Sequence, residues 1–234
     1  MGLLDRWRKP PAGTGPGTRP TGRRPRRRTR RADADAVDPA LGEAQLREAL
    51  REDPNDETAF DTLAELVRTR AALSHRERVG LDEDTGPDAE EVHRAADNAV
   101  WALAEELAQS PRAWRPLLVL GRLSLSDDHE AALRRLGIAA ERDSSGKALA
   151  EALAVLRGAG MNDEALSLGV GHWRPRDHDV EAGRHLVAAA IDAGRLAEAR
   201  RHLKALAEHP DTGRVEQLRG ELEDALARAD RARH

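Results

Sequence analysis

The stretch EALSLGVGHWRPRDHDVEAGRHLVAAAIDAGRLAEARRHL, residues 164–203, decides the fold. It opens on Glu164-Ala165 and returns to the same dipeptide at Glu198-Ala199, 34 residues on; Glu130-Ala131 stands the same distance upstream. Gly160 and Gly194 precede two of these pairs by four residues, and Ser126, another small residue, holds that place before the first. A fixed step of this length marks a repeat built from two amphipathic helices and a tight turn. The apolar residues of each unit fall at three-four spacing, which gathers them on one helix face. For the first helix these are Leu149, Ala152, Leu153 and Leu156, then Ala182, Leu186, Val187 and Ala190. For the second they are Ala165 and Leu168, then Ala199 and Leu203. The alanine after each glutamate is expected where two helices cross closely, and the glycines where a left-handed residue ends one helix.

Outward from this stretch the pattern loosens. Downstream, Val215, Leu218, Leu222 and Leu226 form one stripe on an otherwise charged helix, as suits the polar cap of an open stack. Upstream, Ser110-Pro111 is expected to open a helix carrying Trp114, Leu117 and Leu118, and Ala131, Leu133, Leu136 and Ala140 face inward on its partner. Residues 88–109 place Val92, Ala96, Ala99, Val100, Leu103 and Leu107 on one face opposite Glu90, Glu91, Arg94, Asp97 and Glu106, with Trp101 beside the stripe as packing. The segment SHRERVGLDEDTGPD, residues 74–88, reads as an inserted loop because of Gly80, Gly86, Pro87 and its acids. Order is expected to begin at Asp38-Pro39, with a helix running to about Glu52.

The junction EALREDPND, residues 48–56, followed by ETAFDTLAELVR, resembles the join between two tetratricopeptide repeats: an Ala-Leu pair, an Asp-Pro turn, then a helix with an aromatic. Phe60, Leu63 and Ala64 match that family's aromatic, leucine and small positions, and Gly121 departs from a bulky one. The resemblance covers residues 38–210 and is closest at 148–208. It implies an all-α fold, a right-handed α-solenoid of about four antiparallel helix pairs, whose first helices line a concave wall that binds a peptide or helix of a protein partner. That register puts Arg112, Arg115, Arg122, Lys147, Arg157, Arg184 and His185 near the wall, among Glu151, Glu181 and Asp192. The cationic excess favours an acidic peptide, since arginine forks pair well with carboxylates. The lysines and asparagines with which some members clamp a chaperone carboxylate have no match here.

Composition sets the outer limits. Of 234 residues only 2% are aromatic, there is no cysteine, and Arg outnumbers Lys 35 to 3, a usage resembling coding from a GC-rich bacterial genome. Disulfides and thiolate metal sites are excluded. The net charge of −4 divides into +10 over residues 1–31 and −14 over the rest. Residues 1–36 are therefore expected to be a disordered basic arm rich in Pro, Gly and Arg, and residues 37–234 the repeat domain. In the arm, Leu3, Leu4 and Trp7 of MGLLDRWR would give a membrane foothold. The run Arg23, Arg24, Arg26, Arg27, Arg28, Arg30 and Arg31 would contact an anionic surface: a membrane, nucleic acid bound without sequence readout, or the acidic body itself. A solvated linker is the plain alternative.

No P-loop, dinucleotide fingerprint or nucleophile elbow occurs. His172, His178 and His185, or His202 and His209, lack the partners a zinc site needs. The expectation is a non-enzymatic protein with no cofactor, no metal and no small-molecule substrate, placed in the cytoplasm or peripherally at the membrane.

Overall fold

Ten α-helices and no strand are found among the described residues, 39–79 and 88–232 of a computed structural model. They are α1 (Pro39–Glu52), α2 (Glu57–Val79), α3 (Ala89–Ala108), α4 (Arg115–Ser124) and α5 (His129–Arg142), then α6 (Lys147–Gly158), α7 (Asn162–His172), α8 (Val180–Asp192), α9 (Leu196–Leu206) and α10 (Thr212–Arg231). The expectations for the arm, including Leu3, Leu4, Trp7 and the seven arginines from Arg23 to Arg31, lie outside the described residues. No helix among the described residues is long and apolar enough to cross a membrane.

Aspartates set five of the helix starts. The side chains of Asp56, Asp88, Asp128, Asp179 and Asp211 accept backbone N–H bonds of 2.9 to 3.0 Å from Ala59, Glu90, Ala131, Glu181 and Arg214. Each satisfies a donor that the first turn cannot use internally, and such a cap contributes about 1 kcal/mol. Helix ends follow the repeat instead. At the end of α6, Gly160 (φ 76°) donates to Arg157 C=O at 3.0 Å and Met161 to Leu156 C=O at 2.9 Å. At the end of α8, Gly194 (φ 72°) donates to Ile191 C=O at 2.9 Å and Arg195 to Ala190 C=O at 2.8 Å. The two turns are the same hydrogen-bonded motif displaced by 34 residues, and left-handed backbone makes glycine the fitting residue in both.

Two sequence expectations need correction. Residues 74–79 belong to α2. Ser74 to Val79 contains no glycine or proline, so nothing breaks the helix before Gly80, and only the later part of the segment carries breakers. Residues 80–87 lie outside the described residues. The helix expected to open at Ser110-Pro111 begins instead at Arg115, with Pro116 in its first turn; residues 110–113 form the turn before it.

Packing proceeds in chain order. α2 lies against α3, α4 against α5, α6 against α7 and α8 against α9, while α4, α6 and α8 form one row and α5 packs on α7. α10 closes on α8 and α9. A continuous apolar core runs from Leu50 at the end of α1 to Leu226 in α10, built from leucine and alanine with Phe60 as its fully buried aromatic. The recurring alanines are where the period predicts: Ala131 is buried, and Ala165 and Ala199 are 0% exposed. Gly121 has a packing reason too. A Cβ there would stand 2.7 Å from Leu136, so α4 and α5 approach too closely for a side chain. Trp101 packs half-buried on the core, with the Arg135 guanidinium 4.8 Å over its ring.

Candidate interaction groove

The starts of α2, α4, α6 and α8 converge on a groove of about 430 Å³, and the convergence begins with a borrowed cap. α4 has no side chain of its own capping its first turn. Asn55, in the turn between α1 and α2, supplies one: its Oδ1 accepts from Trp114 N–H at 2.8 Å and Arg115 N–H at 3.1 Å, and its Nδ2 donates to Arg112 C=O at 2.9 Å. Arg112 returns the contact by donating to Glu52 C=O at 3.1 Å. Behind this turn Arg142 of α5 donates from one nitrogen towards the carbonyls of Ala108, Ser110 and Ala113 at 3.3, 3.0 and 2.8 Å. Asn55 and Arg112 hold the start of α4 beside the start of α2, which fixes one wall of the groove, and Arg142 ties the same turn to α5.

Along that wall stand Glu57, Trp114, Arg115, Lys147, Ala150, Glu151, Ala154, Glu181 and His185. Arg115, with its side chain only 10% exposed, bonds Glu57 at 3.1 Å and Glu151 at 3.2 Å and lies 5.2 Å over the Trp114 ring. Its Nε is buried with no partner. Burial raises the Glu151 carboxyl above its ordinary value; the nearby Arg115 charge opposes this, and the Glu57 and Asp61 charges add to it. Glu181 shows the opposite balance. Burial again works against its charge, yet hydrogen bonds from Arg184 and from Arg214 of α10 outweigh it and hold the carboxyl low.

Of the seven residues the repeat register put near a concave wall, Arg115, Lys147 and His185 line this groove together. Arg157 and Arg184 reach it through His185: Arg157 Nη1 is 3.1 Å from Nδ1 and Arg184 Nη2 is 2.8 Å from Nε2. A neutral imidazole can accept on only one of these nitrogens. Burial first, then the Arg184 and Arg157 charges, push this histidine down to about 4, so it is neutral at neutral pH. Arg157 is also paired with Asp192 at 2.8 Å, and Arg184 with Glu181. Arg112 sits in the turn before α4, and Arg122 is exposed in the last turn of α4; neither lines the groove. Lys147 and Arg122 form no ion pair among the described residues. The wall is thus mixed in charge, with three of its guanidiniums already neutralised in place.

Sequence reasoning missed Asn55, Arg142 and the neutralising partners Glu57 and Arg214. The Asp-Pro-Asn string around Asn55 is a turn signal, but nothing in it says which distant backbone the amide reaches. Among the described residues no group of three or more His, Asp or Glu is placed to hold a metal ion. Compared with protein-family models, with curated proteins and with solved structures, the chain has no significant match to any.

Proposed function

We propose that this chain is a non-enzymatic, tetratricopeptide-like adaptor, a right-handed α-solenoid whose first helices hold a peptide or helix of a protein partner in the groove between them. The observation that carries this reading is the groove itself, to which four successive first helices contribute and which has alanines on its floor and hydrogen-bonding side chains on its rim. A groove with this mixed lining suits a peptide or helical segment, anchored by apolar contact and oriented by a few polar groups. Because Arg115, Arg157 and Arg184 are already paired, the balance weighs against selection of the partner by net acidity; Lys147 is the rim cation left for a ligand oxygen.

The test places bulk and reversed charge where they meet the ligand and not the core. In Ala154→Arg and Lys147→Glu chains, the set of proteins captured from cells is expected to change while thermal melting stays within a few degrees of the parent. An unchanged set of captured proteins in both variants removes the groove reading. Arg115 is unsuitable for this purpose, since its own side chain is buried against Trp114 and its removal would disturb packing as well as charge.

A second reading rests on the charge division between residues 1–31 and the remainder, +10 against −14. The arm would carry the adaptor to an anionic surface, cytoplasmic membrane or nucleic acid, by phosphate contact. Cell fractionation of the full chain beside a chain lacking residues 1–31 separates the cases, and an unchanged distribution ends this reading.

A further inference from the structure

A histidine joins the start of α10 to the loop that precedes α8. His209, half-buried in the turn between α9 and α10, uses both ring nitrogens: Nδ1 accepts the Asp211 N–H at 3.0 Å, and Nε2 lies 3.1 Å from the His178 carbonyl. A carbonyl only accepts and a backbone N–H only donates, so this ring is neutral with its proton on Nε2. An imidazolium has a proton on each nitrogen and nothing to offer the Asp211 N–H. Asp211 is the cap of α10, its carboxylate accepting from Arg214 N–H at 3.0 Å. The Arg214 side chain in turn reaches Glu181 on the groove rim at 2.7 Å. One proton on His209 thus stands at the head of a chain of contacts that ends in the groove.

The two sides of this joint are unequal. The loop side is clamped: Asp179 N–H donates to Ser145 C=O at 2.6 Å, and a Cβ on Gly146 (φ 80°) would stand 2.4 Å from His178 Cβ. His178 is 4% exposed, and burial first, then the Arg174 charge, push its ring below the ordinary value; Asp143 of the α6 turn and Asp177 pull the other way, and His172 of α7 adds to the push. Of the two rings, His209 is the one open to a proton. On its own turn Glu208 and Asp211 attract an imidazolium, yet Glu208 is paired with Arg176 at 3.4 Å and Asp211 holds the α10 cap. The facing loop adds Arg174, Arg176 and Asp177, with Asp179 capping α8, and the last turn of α9 brings Lys204. An imidazolium drawn to Asp211 or Glu208 takes that carboxylate from the cap or from Arg176, and the turn opens either way. We propose that His209 is an acid-released joint: neutral, it holds the start of α10 on the loop before α8; protonated, it lets go, and Arg214 leaves Glu181. The contact is present at the higher pH and is lost on descent through the range of about pH 8 to 5 in which histidine changes charge. Nothing in this requires the groove to hold a peptide.

The test is amide hydrogen exchange of the full chain, corrected for intrinsic rates, at about pH 7.5 and about pH 5.5. Protection of the Asp211, Arg214 and Val215 amides, whose acceptors are the His209 ring, the Asp211 carboxylate and the Asp211 carbonyl, is expected to fall at least about tenfold on acidification while α4 and α6 keep theirs. Nitrogen-15 spectra are expected to show the Nε2–H tautomer of His209 at the higher pH. His209→Gln supplies a donor and an acceptor with no proton to take up, so its α10 start is expected to stay protected at both pH values. His202→Gln leaves the joint intact and is expected to lose protection as the parent does. Parent protection that ignores pH, an Nδ1–H tautomer, or an equal loss in a folded His209→Gln chain overturns the proposal. So does a loss spread evenly over all ten helices, which would assign the acid effect to the whole core.

Discussion

The four helices α6 to α9 and the hairpin of α2 with α3 are built from the same kinds of residue and end differently. In the first region the helices have 12, 11, 13 and 11 residues, so each face meets a neighbour of its own length. Alanines sit at the crossings and matching glycine turns end α6 and α8. In the second region the helices have 23 and 20 residues, against 10 and 14 in α4 and α5. A period that repeats in sequence keeps lengths equal and uses every apolar face. Where length departs from the period, burial stops at the neighbour's end and leaves surface that packing does not consume.

The sharpest way to break this comparison is to place the same bulky charge in both regions. Ala165→Arg or Ala199→Arg forces a guanidinium into sites with 0% exposure, and the cost is expected to be about 3 kcal/mol or more, from overpacking and a buried charge together. Ala72→Arg, on the half-exposed outer part of α2, is expected to stay within about 0.5 kcal/mol. Thermal or urea unfolding checks both. Equal losses at Ala72 and Ala165 would mean that the overhang is as tightly packed as the repeat.

Acid separates the regions next. His185 is pushed down to about 4 from an ordinary 6.5, and burial also lowers His178 and His202, with Arg174 and Arg201 adding to it; all three lie between residues 178 and 202. As pH falls below 6.5 the unfolded chain takes up protons that these buried rings refuse, so their contribution to stability is present above that pH and is lost on the way down to about 4. Allowing for partial exposure, His185 alone is expected to account for about 1 to 2 kcal/mol of that loss. A His185→Gln chain should therefore show a shallower fall in urea midpoint between pH 6.5 and pH 4 than the parent. Parallel curves for the two chains would show that the ring takes its proton in the folded state.

How far the sequence could be read follows the same division. The all-helical fold, the buried alanines and the turn glycines were legible because each is a local requirement repeated at a fixed step, and repetition separates signal from coincidence. The extent of α2 was not, because Gly80 and Pro87 signal a break without saying how far the helix runs before it. Of the groove only a register was legible, and Arg115, Lys147 and His185 are the residues of that register that line it. Their electrostatic state was hidden, since Glu57 lies 58 residues from Arg115 and Arg214 lies 33 from Glu181, and no local rule links such positions. The same holds for Asn55, whose amide reaches 59 residues ahead to cap α4.

The smallest effect is the most diagnostic, because it removes packing from the question. Gly158 and Gly160 stand two residues apart at the end of α6, and an added Cβ at either would meet nothing within 4 Å. Their backbones differ: Gly158 is the last helical residue, and Gly160 has φ 76°. Alanine at 158 lowers the entropy of the unfolded chain and favours the helix, so Gly158→Ala is expected to stabilise by about 0.5 kcal/mol. Alanine at 160 must adopt the left-handed conformation, so Gly160→Ala is expected to destabilise by about 1 kcal/mol. Opposite shifts in urea midpoint at equal slope would assign the turn to backbone geometry alone, since neither site offers a contact to lose. Shifts of the same sign would mean that the α6 turn does not need its left-handed residue, and that the 34-residue step is held by the alanine crossings instead.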